Sequence, residues 1–233
     1  MPPELLLRPE RKATPPRAAD EVVLVTGFEP FGGEAMNPSW EVCGRLPRTI
    51  AGLRVEILRV PCVFRRSIEV VTAAIEASRP TRVICLGLAP GRTHVGVERV
   101  AINVDDARIA DNAGGRPIDE PIAGDGPPAY FATLPVKAMV AAIRAAGVPA
   151  EVSNSAGTYV CNHLMYGVLH FLATRGIRAR AGFIHVPYAA EQALDRRDTP
   201  SIPLATMAAG IEAAIVAAQR NARDVKLAGG ALD

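Results

Sequence analysis

Apolar and polar positions along this chain follow two rhythms in turn. Short runs dense in Val, Ile and Leu read as buried strands: "EVVLVTG" (21–27), "RVEILRVP" (54–61), "RVICLG" (82–87), "AEVSNS" (150–155) and "AGFIHVP" (181–187). Helical spacing marks stretches near 38–46, near 64–78, from about 134 to 146, after Cys161, and an Ala-rich segment near 203–220. Such alternation predicts βαβ units and an α/β fold on a largely parallel sheet. No repeat and no second core interrupts it, so residues 21–220 are expected to form one domain. Residues 1–20, proline-rich and of mixed charge, read as a disordered extension, and 221–233 as a C-terminal tail.

The pattern breaks twice. In "HVGVERVAINV" apolar residues fall at 95 and 97, then at 100, 102 and 104, so the alternation slips one step around Glu98 and Arg99. A β-bulge that re-aims a side chain would give that slip, and so would an exposed Glu–Arg pair on an edge strand. The segment 103–135 is rich in Gly, Pro, Asp and Asn, and its length suits a lid, an interface element or a plain surface excursion.

Composition narrows the functional classes. With 49% hydrophobic residues, 233 positions can bury a sizeable core. Lys+Arg at 26 against Asp+Glu at 24 gives a net charge of +2 without a basic field for nucleic acid. No apolar run approaches the roughly 18 residues of a membrane span, and the opening segment lacks a signal-peptide core, so the expected location is cytoplasmic. The four cysteines, Cys43, Cys62, Cys85 and Cys161, are widely spaced, and neither a CxxC nor an HExxH pair is present, which argues against a disulfide scaffold or a zinc site.

In an open α/β sheet the site forms beyond the carboxyl ends of the strands. Four segments follow strands: "TGFEPFGG" (26–33), "GLAPGR" (87–92), "SNSAGTYVCN" (153–162) and "HVPY" (185–188), and parallel neighbours would bring all four to one rim. The first spaces Gly27 and Gly32 like a P-loop but lacks the lysine that follows, which weakens a phosphate site. Phe28 and Phe31 either wall a small apolar pocket or fold back into the core. Cys161, at the expected start of a helix, is either a thiol activated by the helix dipole or a buried packing residue; the other three cysteines sit in packing positions. Small residues Ser155, Ala156 and Gly157 before it would let backbone N–H groups approach a carbonyl oxygen. At about 100° per residue, His163 and His170 lie roughly opposite Cys161 on the helix, so a base must come from elsewhere. His94 and His185 remain, and His185, closing a buried strand at the rim, is the better placed. Glu98 is a candidate to orient its ring.

Together "VLVTGFEPFGG", "NPSW", "GLAPGRTHVGVERVAINVDDARIADNAG", "SNSAGTYVCNHLMYGVLH" and "GFIHVPY" make the chain resemble pyroglutamyl-peptidase type I, or pyrrolidone-carboxylate peptidase, a cysteine peptidase family, from about residue 22 to about residue 220. The resemblance implies a catalytic Glu98, Cys161 and His185, and release of N-terminal pyroglutamate from peptides. It also implies a three-layer α/β/α sandwich on a central twisted, largely parallel but mixed sheet, phosphorylase/hydrolase-like, with no metal or cofactor, no nucleic acid or membrane partner, and a cytosolic homotetramer. Phe28 and Phe31 would then wall the lactam pocket, Tyr159 and Val160 would add a wall and lactam contacts, and Arg108 would lie near the catalytic centre. Leu88 stands where many members carry a glutamine of the substrate pocket, and Ala110 replaces a usual proline. Two other readings are a redox-sensing thiol protein built on Cys161 and a nucleoside- or phosphate-binding α/β protein using the glycine turns.

Overall fold

The computed structural model describes residues 21–230, so the expected disordered extension at 1–20 and the end of the tail at 231–233 lie outside the described residues. In chain order the elements are β1 (Val22–Phe28), α1 (Pro38–Cys43), β2 (Thr49–Ile50), β3 (Leu53–Val60), α2 (Arg66–Ser78), β4 (Arg82–Leu88), β5 (Val95–Glu98), β6 (Val100–Ile102), β7 (Ala129–Phe131), α3 (Val136–Ala145), β8 (Ala150–Ser153), α4 (Val160–Thr174), β9 (Arg180–Val186), β10 (Tyr188–Ala189), β11 (Ser201–Ile202) and α5 (Leu204–Arg220). Seven strands form one sheet in the order β2-β3-β1-β4-β9-β5-β8. The four from β3 to β9 run parallel, and every residue of β1 and β4 is buried, the signature of a sheet covered on both faces. Helices α1, α3 and α5 pack on one face over Val25, Ile84, Leu86 and Ile184. Helices α2 and α4 pack on the other over Leu24, Val83, Cys85 and Phe183, giving three α/β/α layers.

Local chemistry explains the first turn. Asn37 caps α1 by accepting the Ser39 N–H at 3.1 Å, with Pro38 in the first helical turn, and Ser39 Oγ in turn accepts the Phe28 N–H at 3.0 Å. This brings helix backbone onto β1, where a Cβ at Gly27 would sit 2.6 Å from Ser39 O. Gly27 therefore serves close packing, and the resemblance of its loop to a phosphate cradle has no structural counterpart.

Two expectations change. The alternation slip at Glu98 and Arg99 marks a change of sheet, neither a bulge nor an exposed edge: β5 lies between β9 and β8, Glu98 is fully buried, and β6 goes on to pair with β7 in a separate two-stranded sheet. Because β5 is antiparallel to β9 and parallel to β8, only three of the four strand-end segments share a rim; the fourth reaches it by crossing from β8 to the start of α4. The segment 103–135 is fastened down along its length. Asn103 holds both Ala123 N–H and Ala123 O, Tyr166 OH donates to Pro127 O at 2.8 Å, and Asp111 accepts N–H groups from Phe64, Ala113 and Gly115. The tail docks as well. Asp224 accepts the N–H groups of Lys137 and Ala138 at the uncapped start of α3, and Gly229 O accepts from Arg99.

Candidate active site

Three residues lie side by side across the sheet: Gly87 of β4, His185 of β9 and Gly96 of β5. Residues in register project to the same face, here the face under α4, so the imidazole stands between two missing side chains. Each gap is filled. A Cβ at Gly87 would lie 2.9 Å from Cys161 Sγ and 2.7 Å from the Phe183 ring, so the glycine makes room for the thiol. A Cβ at Gly96 would run into the Arg92 guanidinium. Glu98, two residues beyond Gly96 and thus on the same face, receives the His185 Nδ1 proton at 2.7 Å on Oε1. The order across the sheet is thiol, imidazole, carboxylate.

Cys161 is the second residue of α4. Tyr159 is the N-cap, and the first helical bond runs from His163 N to Tyr159 O, so the N–H groups of Val160, Cys161 and Asn162 precede the ladder and are available to an oxyanion. Asn162, buried beneath them, ties the helix start to β6 through Ile102 N, Ile102 O and Val104 O. Gly157 takes a left-handed φ of 78° in the turn leading in.

Cys161 stands at the start of a helix as expected, and its surroundings oppose the activation that position would give. Cys161 alone among the four cysteines is not fully buried, yet its thiol rests against the sheet, and burial pushes it well above the usual thiol range. Neighbouring Cys62 and Glu98 act in the same direction, and only the Arg92 guanidinium opposes them. Desolvation disfavours the thiolate, which gives a base beside the thiol the greater part to play. Burial also pushes Cys62 and Cys85 up to about 12, in keeping with packing roles.

His163 and His170 are both engaged away from the thiol. His163 Nε2 accepts the Arg65 N–H at 2.7 Å, which leaves the ring proton on Nδ1 for Asp105 Oδ2, also at 2.7 Å. His170 meets Tyr130 OH at 3.1 Å and stacks on Tyr166. His94 pairs with Glu151 on the edge strand β8. His170→Ala is expected to keep kcat/KM within about twofold, whereas His163→Ala, which strands a buried carboxylate and an N–H, should lower stability by about 1–3 kcal/mol without a comparable loss of kcat. Melting curves beside steady-state kinetics check both; a collapse of kcat in a folded His170→Ala would contradict the geometry.

The pocket residues divide. Phe31 and Phe64 pack around Tyr159, at ring-centroid separations of 6.1 and 5.4 Å, and Tyr159 OH donates to Ala110 O. Phe28 folds back into the core, buried against Phe183, whose ring lies 4.8 Å from that of His185. Val160 is fully buried, its side chain part of the core under α4. Leu88 is 4% exposed and, by strand alternation, points to the face opposite Gly87, so the fold gives its side chain no place beside the thiol. Arg108 is exposed on a loop fastened to the helix start on either side, by Asp106 to Thr158 and by Ala110 to Tyr159. Sequence reasoning missed Arg92, Gly87 and Gly96, although a lone glycine inside a strand signals close approach by another group.

Among the described residues no helix is long and apolar enough to cross a membrane. A family model described as pyroglutamyl peptidase matches residues 21–221. The pyrrolidone-carboxylate peptidase of Erwinia tasmaniensis is 54% identical over 210 residues, which cover 90% of this chain and 98% of that protein. That of Streptomyces coelicolor is 55% identical over 212 residues, covering 90% and 98%. The crystal structure of pyroglutamyl peptidase I from Bacillus amyloliquefaciens superposes with a TM-score of 0.87 at 42% identity, covering 89% of this chain and 99% of that one. On this fold, these motifs and these relatives, the chain belongs to the pyroglutamyl peptidase family.

Proposed function

We propose that this chain removes N-terminal pyroglutamyl residues from peptides with Cys161 as nucleophile, His185 as acid and base, and Glu98 as the group that orients the ring. The observation that carries the reading is the row Gly87, His185, Gly96, which seats a thiol and a carboxylate on opposite sides of one imidazole. Cys161 Sγ attacks the carbonyl carbon of the pyroglutamyl residue as its proton passes to His185 Nε2, while Glu98 accepts from Nδ1. The oxyanion that forms takes hydrogen bonds from the free N–H groups at the start of α4. The C–N bond breaks, the imidazolium returns its proton to the leaving amine, and water, deprotonated by His185, hydrolyses the thioester to free pyroglutamate and thiol.

A lactam carries no ammonium, so its recognition needs apolar walls and a few backbone hydrogen bonds, which Phe31, Tyr159 and Phe64 and the helix start supply. Arg108, on its fastened loop, is placed to approach the same helix start. The reading extends to a cytosolic homotetramer, and exposed Ile118 and Phe131 are apolar surface that such an assembly would cover. The test compares a pyroglutamyl anilide with the matching leucyl and prolyl anilides: release from the first alone is expected. Equal release from all three, or none from any, would overturn the assignment.

A further inference from the structure

We propose that Arg92 is a positioning residue of this site: its guanidinium, passing through the gap at Gly96, holds the Glu98 carboxylate as the anion against which His185 takes and returns the thiol proton. The inference rests on the peptidase reading above.

Arg92 Nη1 donates to Glu98 Oε1 at 2.9 Å, the same oxygen that accepts His185 Nδ1 at 2.7 Å, while Glu98 Oε2 has no partner. All the compensation that this fully buried carboxylate receives is therefore gathered on one oxygen, between one cation and one imidazole. The arm is held at its other nitrogen too: Nη2 reaches Ser153 Oγ at 3.3 Å and Ser155 O at 3.4 Å, and Ser153 is the register partner of Glu98 on β8. Gly96 is the opening that admits it, because any Cβ there would occupy the place of Nη1. A surface ion pair needs no such opening and contributes little, whereas a cation fixed against a buried carboxylate changes what that carboxylate can do.

The groups facing Glu98 are His185 from β9, Arg92 from the loop after β4, the Cys161 thiol from α4 and the neutral Ser153 from β8. Removing the cation disfavours the carboxylate anion and favours an imidazolium beside it. Either change keeps a proton on the pair to higher pH, so the acid limb of kcat/KM must move upward.

In Arg92→Ala, kcat is expected to fall about tenfold or more at neutral pH with KM within about twofold, and the acid limb to rise by about one pH unit. Arg92→Lys keeps a charge and should leave the limb in place. Gly96→Ala retains the arginine but displaces its guanidinium, and should reproduce the shift; it decides alone if Arg92→Ala does not fold. An acid limb that stays put in the folded variants, or a change confined to KM, overturns the proposal. Because each profile is measured on a pyroglutamyl anilide against the unaltered chain, failure of the unaltered chain to cleave it would instead remove the peptidase reading.

Discussion

Cys161→Ser is expected to lower kcat/KM for a pyroglutamyl anilide by about ten-thousand-fold while moving the melting temperature by only a few degrees. The exchange keeps the shape of the side chain over Gly87 and leaves the start of α4 as it is, so the fold has nothing to lose but a polarisable sulfur near Phe183. The hydroxyl is a far weaker acid than the thiol, and His185 cannot generate an alkoxide at comparable speed. Labelling gives an independent check. Iodoacetamide should modify the unaltered, folded chain at Cys161 and leave Cys43, Cys62 and Cys85, all buried, untouched. Substantial activity in the serine variant would show that the nucleophile lies elsewhere.

His185→Ala should lose about a thousandfold or more at neutral pH, and the pH dependence of what remains is the sharper test. Burial holds the Cys161 thiol well above its ordinary value, so without the imidazole only the small thiolate fraction in equilibrium with solvent can react. Below the thiol's own titration that fraction grows about tenfold per pH unit, and the residual rate should climb with that slope through the alkaline range. In the unaltered chain the imidazole removes the proton within the site, and the rate should level off near neutrality. A flat residual profile in His185→Ala would mean that the thiolate is already formed at rest, as the helix dipole alone would have it.

How much of this was written in the sequence varies with the physics involved. Continuous apolar runs gave β1, β4 and β9 nearly to the residue, because strands buried on both faces tolerate little else. That the thiol, the imidazole and the carboxylate come together was anticipated from motif, with helix phase turning the search from His163 and His170 to His185. The direction of β5 and β8 was not, since alternation says nothing about which way a strand runs, and the misjudged rim followed from that. The shift of the Cys161 thiol depends on what packs around it, which is long-range information. For Leu88 the resemblance gives a position along the chain, whereas the pleat decides which face its side chain takes. Arg92 escaped because an arginine in a glycine- and proline-containing loop reads as solvated until the glycine that receives it, four residues later, is seen in register with His185.

The paired vacancies at Gly87 and Gly96 also decide what sets the dimensions of the site. Reactive groups seated in the side-chain layer of a sheet inherit its ruler, the roughly 4.8 Å between neighbouring strands. Imidazole and carboxylate are thus spaced by backbone hydrogen bonding instead of by loop length, and the thiol comes down onto the same row from α4 through the gap at Gly87. Lengthening or shortening the 103–135 excursion would leave the imidazole–carboxylate spacing alone, while its ties through Asp106 and Ala110 to the start of α4 make it bear on the thiol. The proton-handling pair is in that sense inherited with a lattice that cannot drift without unzipping the core, and the nucleophile with a helix that a loop holds in place.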